Sequence, residues 1–457
     1  MSSIATPPPA PAESDTIARL ATGALGGPRG RYAVSPLSRA SRLLLAGFLC
    51  LGASLAVLLG FLQKSYCLRY GWGAPQVYFK ACYSDLPAYA GTIPPSGGLP
   101  YASGSALSEP LGTGVALRFL AAFVPSDGFA RQQGMFAAWA IAAAVLLVLT
   151  TVVTLATCRA HPAWAAHVAL SPIIVTAALV SVDLVGVALT SVALWLWSSR
   201  RPTAAGVVLG LAITTRTYPV LVLVVLGVLA MRAGVMRRWA RTAGVAIVTT
   251  VLLLGVVAVF LPGVLTPYLA WLGASAQLGS PWYLATLAAK PVPLGVLTLA
   301  AMIGWVLAVG VGALVALAAP ARPRIGEVAI VVVVLVLVTG KSLPPQSSLW
   351  LIPLVALAGL PWRDHLVWAA TEICYFVAVW LYLGGLDDVT AALPASWYGV
   401  FLVLRVGGLL WLAAAATRQA MTRAPHSALD AALGREDDDA AGPMHARRDA
   451  VVVRYER

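Results

Sequence analysis

The sequence contains few charged residues. Only 11% of its 457 residues are Asp, Glu, Lys or Arg, whereas a typical soluble domain has about 25%. Hydrophobic residues make up 60% of the chain, so too few polar groups remain to cover a soluble fold of this length. Apolar runs of about 20 residues, long enough to cross a hydrocarbon core as helices, recur along the chain. The composition excludes a soluble protein and predicts an all-α polytopic membrane protein.

The sequence also lacks the motifs of many soluble enzymes. It contains no P-loop, no GxGxxG before a helix, no HExxH and no GxSxG. These absences exclude a nucleotide site on a glycine-rich loop and a metalloprotease site. Five cysteines are present, and none has the spacing of a zinc or haem pair. Cys67 and Cys82 share one polar loop, where a disulfide would form if the compartment is oxidising.

The positive charge of the chain is explained by its position. Lys and Arg outnumber Asp and Glu by 31 to 18, and much of this excess lies in short loops beside apolar runs. Such loops are typical of the cytoplasmic face, so the pattern does not indicate nucleic-acid binding. It predicts a multi-pass membrane protein with about 12 spans and both termini in the cytoplasm. The predicted spans are 43–62, 135–157, 164–181, 184–198, 203–215, 217–231, 242–261, 293–318, 327–340, 348–360, 366–383 and 397–416.

Composition divides the chain into three parts. Residues 1–38 and 418–457 are predicted to be disordered cytoplasmic tails. Residues 39–417 form the predicted membrane domain. Its first loop, residues 63–133, is long and polar and is predicted to be extracytoplasmic. Within this loop, the apolar segment 115–124 is too short to cross the membrane, so we predict a helix that lies in the membrane interface.

Several ionisable residues are predicted to converge on the outer face. They stand at the boundaries of outward turns, and they are Asp85, Glu109, Asp183, Arg216 and Lys341. Charged groups beside apolar spans normally face a cavity or a partner. Gln346 follows Lys341 after two prolines that cannot continue a helix, so the backbone there is predicted to be irregular. Each residue also has a structural alternative, such as a hairpin tip for Asp183 or snorkelling to headgroups for Arg216.

Arg405 lies within the last apolar run and needs a partner. Asp387 and Asp388, in the preceding outer turn, are the candidates. A structural pairing is the predicted role.

Five strings of the sequence resemble one enzyme family. They are CYSDLPAYA (82–90) with SEPLGTG (108–114), SPIIVTAALVSVDLVGVALTSVAL (171–194), AAGVVLGLAITTRTYPVLVLV (204–224) and KSLPPQSSLWLIPLVALA (341–358). In this order they are similar to motifs of bacterial GT-C type membrane glycosyltransferases, in particular the family 87-like α-mannosyltransferases that use polyprenyl-phosphate mannose. The chain departs from the family pattern at Arg216, Pro344 and Ser347.

The resemblance implies a GT-C fold and a reaction. An inverting hexosyltransferase would move a sugar, with mannose expected, from polyprenyl phosphate to an envelope glycolipid or glycan. Asp85 would be the catalytic base, with Glu109 and Asp183 as supporting acids. Donor phosphate would be bound by Arg216, Lys341 and Gln346. Trp282, Tyr283 and Tyr218 are candidates for sugar contact, although an interfacial belt explains the aromatic residues equally well.

No ligand cluster in the sequence requires a cofactor. Some GT-C enzymes use a divalent cation, for which Asp85 and Glu109 would be the ligands. Two alternatives to the enzyme remain open. Short spans and buried charges also suit a transporter or flippase of lipid-linked sugars, and a non-catalytic relative would keep the same fold.

Overall fold

The structure is a computed structural model that describes residues 38–93, 101–102, 107–388, 392–423, 439–445 and 447–453. The chain divides into residues 1–48, of which the start of one helix is described, and residues 49–457. The predicted N-terminal tail lies outside the described residues except for Ser38. Every regular element in the described ranges is helical, and none is a strand. This result confirms the predicted all-α membrane fold.

The described residues contain 19 α-helices, together with four short 3-10 segments. In chain order the α-helices are α1 (Arg39–Gln63), α2 (Ser65–Tyr70), α3 (Gln76–Phe79), α4 (Leu86–Thr92), α5 (Leu111–Ala121), α6 (Gly128–Thr157), α7 (Ala166–Ala169), α8 (Ile173–Ala177), α9 (Leu184–Ser198), α10 (Pro202–Thr215), α11 (Tyr218–Arg232), α12 (Met236–Phe260), α13 (Thr266–Gly273), α14 (Tyr283–Leu287), α15 (Leu294–Ala318), α16 (Ile325–Thr339), α17 (Ile352–Ala358), α18 (Trp362–Asp387) and α19 (Ala395–Thr422). The six that are long and apolar enough to cross a membrane are α1, α6, α12, α15, α18 and α19.

Shorter apolar helices account for other predicted spans. Helices α9, α10, α11 and α16 have 15, 14, 15 and 15 residues and are strongly apolar. Helix α5 covers most of the predicted interfacial segment, and its Phe119 side chain is 64% exposed. Exposed aromatic side chains of this kind suit a lipid interface.

Two predicted spans are broken in the structure. Residues 162–177 form a 3-10 turn followed by α7 and α8, and residues 345–358 form a 3-10 turn followed by α17. Prolines explain both interruptions, because a proline lacks the backbone N–H that a continuing helix needs. Pro172 stands just before α8, and Pro344 precedes the second turn. The irregular backbone is covered by protein, as membrane depth requires, and Leu349 and Leu351 are at most 1% exposed.

Helix α10 packs closely against α12. A Cβ atom on Gly206 would lie 2.6 Å from the Thr242 carbonyl oxygen, and one on Gly210 would lie 2.7 Å from that of Ala246. Both positions therefore require glycine for this approach. The rest of α12 is turned away from the described protein, since only Thr242, Ala243 and Ala246 are buried along its 25 residues.

Part of the predicted C-terminal tail is ordered. Residues 439–445 and 447–453 lie against the ends of several helices, and Met444 is fully buried. Asp449 forms ion pairs of 2.8 Å with Arg232 and 2.6 Å with Arg322. In these segments Asp449 supplies the carboxylate that the buried Arg232 needs. Residues 424–438 lie outside the described part of the chain.

The connections place the functional candidates at one end of the bundle. Helix α9 starts after Asp183, and α10 returns from Pro202 to end before Arg216. Asp183 and Arg216 are therefore at the same end, here named the acidic end. Arg200, between α9 and α10, and Arg232, which closes α11, are at the other, here named the basic end.

Candidate active site

Asp85 is held by the first long loop. It stands directly before α4, and its backbone N–H donates to the Val180 carbonyl oxygen at 2.7 Å. Cys67 and Cys82 are joined by a disulfide in the same loop, with Cα atoms 5.9 Å apart. Both attachments restrict the backbone of the loop, so the Asp85 side chain has a defined position.

Arg131 of α6 fixes the far end of α4. Its Nε donates to the Ala90 carbonyl oxygen at 2.8 Å and its Nη2 to that of Ile93 at 2.9 Å. The last carbonyls of a helix have no partner within the helix, and a buried cation satisfies them. Arg131 is 3% exposed and therefore acts as a structural clamp on the loop that carries Asp85.

Arg216 lies between two carboxylates. Its Nη1 is 2.6 Å from Oε2 of Glu109, while Nε and Nη2 are 2.7 Å and 2.5 Å from Oδ1 of Asp183. Two acids share one guanidinium, so this group has a net negative charge when both are ionised. Asp183 is 2% exposed and Glu109 18%, so Glu109 is the partner nearer to solvent.

The hydrogen bonds continue on both sides of Arg216. The Tyr89 hydroxyl donates to Oε1 of Glu109 at 2.6 Å, and Nε1 of Trp350 donates to Oδ2 of Asp183 at 2.9 Å. We name the series Tyr89–Glu109–Arg216–Asp183–Trp350 the ionic chain. It joins segments that are far apart in the sequence, and charge-assisted bonds of this kind are stronger than neutral ones.

Two glycines allow these segments to approach. A Cβ atom on Gly112 would lie 2.6 Å from Cγ2 of Thr215, and one on Gly186 would lie 2.7 Å from its Oγ1. Thr215 is adjacent to Arg216, so larger side chains at either glycine would displace the arginine. Gly112 falls within the SEPLGTG string and Gly186 within the VDLVG string.

Asp85 differs from the other two acids of this end. The pKa of its carboxyl is raised to about 6, mainly by burial; the charges of Glu109 and Asp183 act in the same direction, and the Tyr83 hydroxyl and the Arg216 charge oppose it. Within the described part of the chain, no Lys or Arg forms an ion pair with Asp85. Burial also raises the pKa of the Tyr89 hydroxyl, and the Glu109 charge adds to this shift. Asp85 thus lies within the electrostatic reach of Lys64 and Arg216 but forms no ion pair with either of them.

Lys341 is placed apart from the ionic chain. Its Nζ donates to the carbonyl oxygens of Trp271 and Leu272 at 2.9 and 3.1 Å and to Oγ1 of Thr298 at 2.7 Å. An ammonium group has three N–H donors, and all three are used here. Helix α13 connects the two regions, because its Tyr268 hydroxyl donates to the Thr214 carbonyl oxygen at 3.1 Å. Three residues of helix, about 5 Å, separate Tyr268 from Trp271.

The remaining candidates lie around this centre. Gln346 is half-buried on the 3-10 turn Pro345–Trp350, one turn before Trp350. Nε1 of Trp282 donates to the Thr339 carbonyl oxygen at 3.0 Å, and Tyr283 meets the Tyr398 ring edge-on at 6.1 Å. Trp282 and Tyr283 therefore contact α16 and α19, and no contact joins them to the ionic chain.

The Tyr218 ring packs against the ring of Trp350. The two rings stack with centroids 4.8 Å apart and planes 10° from parallel, and the Tyr218 hydroxyl donates to the Gly186 carbonyl oxygen. Tyr218 is 3% exposed. We therefore assign it to positioning Trp350 rather than to direct sugar contact.

Arg405 pairs with a residue that the sequence reasoning did not consider. Its Nε donates to Oε2 of Glu372 at 2.9 Å, and neither Asp387 nor Asp388 is its partner. The prediction of those two partners is wrong, because Glu372 lies inside α18 at a similar depth. Arg405 Nη2 also donates to the Pro344 carbonyl oxygen at 3.0 Å. The pair thus fixes the irregular segment before Gln346.

Sequence reasoning also missed Trp350 and Tyr89. Each lies within a quoted string, LWL for Trp350 and PAYA for Tyr89. A buried indole N–H or phenol hydroxyl normally requires a hydrogen-bond partner. That requirement, applied to the carboxylates of the acidic end, is the signal that would have identified both residues.

In the described ranges, no three His, Cys, Asp or Glu side chains are arranged to hold a metal ion. The arrangement instead offers one unpaired carboxylate beside a paired cation, inside a partly enclosed site. Such a site can accept a proton from a hydroxyl group and can stabilise an anion nearby.

Comparison with known proteins finds a similarity to one enzyme family. Residues 117–340 match the model of glycosyltransferase family 87. This range includes Asp183 and Arg216 together with helices α9 to α16. No curated protein and no solved structure gave a significant match. Together with the apolar helices, this match supports a membrane glycosyltransferase that is similar to the members of glycosyltransferase family 87.

Proposed function

We propose that this enzyme transfers a mannosyl group, with inversion, from a polyprenyl-phosphate donor to a cell-envelope glycolipid or glycan. The acidic end would face the outside of the bacterial plasma membrane, with both termini in the cytoplasm. One observation carries the proposal. Asp85 forms no ion pair with any described Lys or Arg, whereas Glu109 and Asp183 share Arg216.

Asp85 is the general base in this proposal. The acceptor hydroxyl oxygen attacks C1 of the sugar as its proton passes to the Asp85 carboxylate. The bond between C1 and the phosphate oxygen breaks, and its electron pair leaves with polyprenyl phosphate. A base is most effective when its pKa lies near the working pH, and burial raises the pKa of Asp85 to about 6.

Arg216, Lys341 and Gln346 bind the donor phosphate in this proposal. Arg216 is neutralised by two acids, so a phosphate must displace one of them. Glu109 is the exchangeable partner because it is more exposed and meets only Nη1, whereas Asp183 meets both Nε and Nη2. Lys341 lies one turn of α13 beyond Tyr268, where it supplies a second positive charge.

Sugar contacts in this proposal come from aromatic rings. Trp282 and Tyr283 remain candidates for stacking on a sugar. Trp350 is a further candidate, because the Tyr218 ring stacks on one face of its indole. Asp183 and Glu109 keep their supporting roles by holding Arg216.

The decisive experiment is sugar transfer in membranes that contain equal amounts of wild type, Asp85→Asn or Asp127→Asn. Radiolabelled polyprenyl-phosphate mannose is the donor, and native envelope lipids are the acceptor pool. Asp127 lies in the same loop and is exposed, so it is the matched control. We expect Asp85→Asn to lower transfer by about 10² to 10⁴-fold and Asp127→Asn to have no effect. Transfer that survives in Asp85→Asn would assign the base to Glu109 or Asp183, and no transfer by wild type would reject this donor.

A further inference from the structure

A second polar cavity lies at the basic end. It has a volume of about 730 Å³, and its lining residues are Arg200, Pro202, Arg237, Arg238 and Arg241. Two segments that are separate in the chain bring these arginines together, namely the α9–α10 turn and the first turns of α12. Four exposed arginines therefore border one open cavity.

These arginines differ from the others at the same end. Several neighbouring arginines have carboxylate partners, and the pairs are Arg232–Asp449, Arg322–Asp449, Arg418–Asp364 and Arg423–Glu327. Within the described ranges, the four arginines of the cavity form no ion pair and no side-chain hydrogen bond. Topology alone explains arginines on this face. It does not explain why some of these arginines have carboxylate partners, whereas the four arginines of the cavity have none among the described residues.

The position of three of these arginines is unfavourable unless an anion is present. Arg237 and Arg238 are in the first turn of α12 and Arg241 is in the next, while the first turn contains no acidic residue. The N-terminus of a helix has a partial positive charge from unpaired N–H groups. Cations at this end repel that charge and one another, so a bound anion would stabilise both the helix end and the cluster.

Arg200 also occupies a position that favours another residue. Its φ angle is +59°, and it directly follows the end of α9. Its N–H donates to the Trp197 carbonyl oxygen at 2.9 Å, which is the arrangement of a helix end that normally contains glycine. An arginine here is strained relative to glycine, and its guanidinium group is what it adds to the cavity.

We propose that this cavity binds a phosphate-bearing anion, for which the phosphate of a membrane lipid headgroup is the favoured source. Arginine matches phosphate geometry with paired N–H donors. Helix α12, which forms one wall, is turned away from the protein along most of its length, and its Ile247 and Val251 are 57% and 63% exposed. A lipid alongside α12 would therefore place its headgroup at the cavity.

The cavity is separate from the proposed transfer site. Asp183 precedes α9 and Arg200 follows it, and the 15 residues of this helix span about 22 Å. The binding proposal therefore does not depend on the sugar donor or on Asp85.

The test measures binding to the full-length protein in detergent by microscale thermophoresis. The probes are dihexanoyl phosphatidic acid, dihexanoyl phosphatidylcholine and inorganic diphosphate. The test variants are R237Q/R238Q/R241Q and R200G. The control is R363Q/R418Q, which removes exposed arginines that already contact Asp364. Thermal unfolding of each variant is measured in parallel.

We expect wild type to bind phosphatidic acid and the triple variant to bind it at least about tenfold more weakly, as loss of charge-assisted contacts implies. R200G should bind several-fold more weakly with an unchanged or higher Tm, which separates ligand binding from folding. The control should bind within about twofold of wild type. Preference for phosphatidic acid supports a lipid headgroup, and equal binding of diphosphate supports a free phosphate compound.

Other results would overturn the proposal. One is that the wild-type protein binds no anionic probe. The other is that the triple variant and R200G both bind phosphatidic acid as tightly as the wild-type protein does. The acidic run Glu436–Asp439 is a competing occupant from the same chain. Binding that occurs only after these four acids are changed to amides would assign the cavity to that run and reject an external ligand.

Discussion

The two ends of α11 have opposite charge arrangements. Arg216, just before the helix, is one cation between two carboxylates, whereas Asp449, at the end with Arg232, is one carboxylate between two arginines. Each group retains an unbalanced charge, negative at the acidic end and positive at the basic end. The ion pairs therefore leave an excess of negative charge at one end of α11 and an excess of positive charge at the other.

The two groups also differ in burial and in how they are assembled. The Arg216 side chain is 16% exposed, whereas Arg232 is fully buried. The acidic end is built from loops between membrane helices, while the basic end is closed by the ordered part of the C-terminal tail. A partially exposed cation between two acids can exchange one of them for a ligand, and a fully buried cation cannot do so without losing its only carboxylate.

Removal of Arg216 should produce the largest change. Arg216→Met leaves Glu109 and Asp183 without a cation, so we expect a loss of about 3–5 kcal/mol in the free energy of unfolding and no detectable transfer. Thermal unfolding and the transfer assay measure the two effects. Adding Glu109→Gln and Asp183→Asn to the same chain should recover part of the stability. If no stability returns, the loss has a cause other than unpaired charge.

The pH dependence of transfer should identify the base of the acidic end. The pKa of Asp85 is raised to about 6, so below pH 6 the carboxylate is protonated and the rate should fall about tenfold per pH unit. Because the shift is upward, ionisation of Asp85 costs stability as the pH rises from about 4 through about 6. Asp85→Asn should abolish this loss. A rate that is constant between pH 4.5 and 6 would contradict the assignment.

Trp350→Phe should have a smaller effect. Phenylalanine keeps the stacking on Tyr218 but loses the hydrogen bond to Asp183, which is worth about 1.5–3 kcal/mol for a charged acceptor. We expect kcat to fall about tenfold or more, with little change in KM. Trp239→Phe is the matched control, since its indole N–H donates to the Leu223 carbonyl oxygen outside the proposed site. Equal effects of both changes would show that Trp350 acts only through packing.

Asp449→Asn should have the smallest effect on transfer. The arginines of the basic end lose their carboxylate, so we expect unfolding to become easier by about 1–3 kcal/mol. Transfer per folded molecule should stay within about twofold of wild type, because Asp449 is at the far end of α11. Arg448→Gln, next to it and exposed, is the control. A large drop in transfer would mean that the two ends are coupled.

The sequence was informative where membrane physics limits the alternatives. Run lengths and arginine positions predicted the helices, and the predicted span 184–198 coincides with α9. The same span assignment placed Asp183 and Arg216 on one side of the membrane, and in the structure they form an ion pair. Hydropathy predicts how deep a residue lies in the membrane, but it does not predict which residues of other helices it contacts. For that reason the Glu372 partner of Arg405, the separate position of Lys341 and the role of Trp350 were not predicted.

The tail shows a different limitation. Its composition is polar and poor in apolar residues, which favours disorder for an isolated segment. The placement of residues 439–445 and 447–453 depends on arginines more than 100 positions earlier, such as Arg322 and its bond to Asp449. A pattern read along the chain gives no information on such a distant partner.

The bond between Asp183 and Trp350 has a consequence for biogenesis. These residues are 167 positions apart, so the carboxylate enters the membrane long before its indole partner is synthesised. Until then Asp183 and Arg216 lack part of their final environment, and polar groups at membrane depth are costly. We expect chains that end before residue 350 to be degraded faster than full-length chains. The site would therefore be assembled only when synthesis of the membrane domain is nearly complete, so that no partial chain could have the complete site.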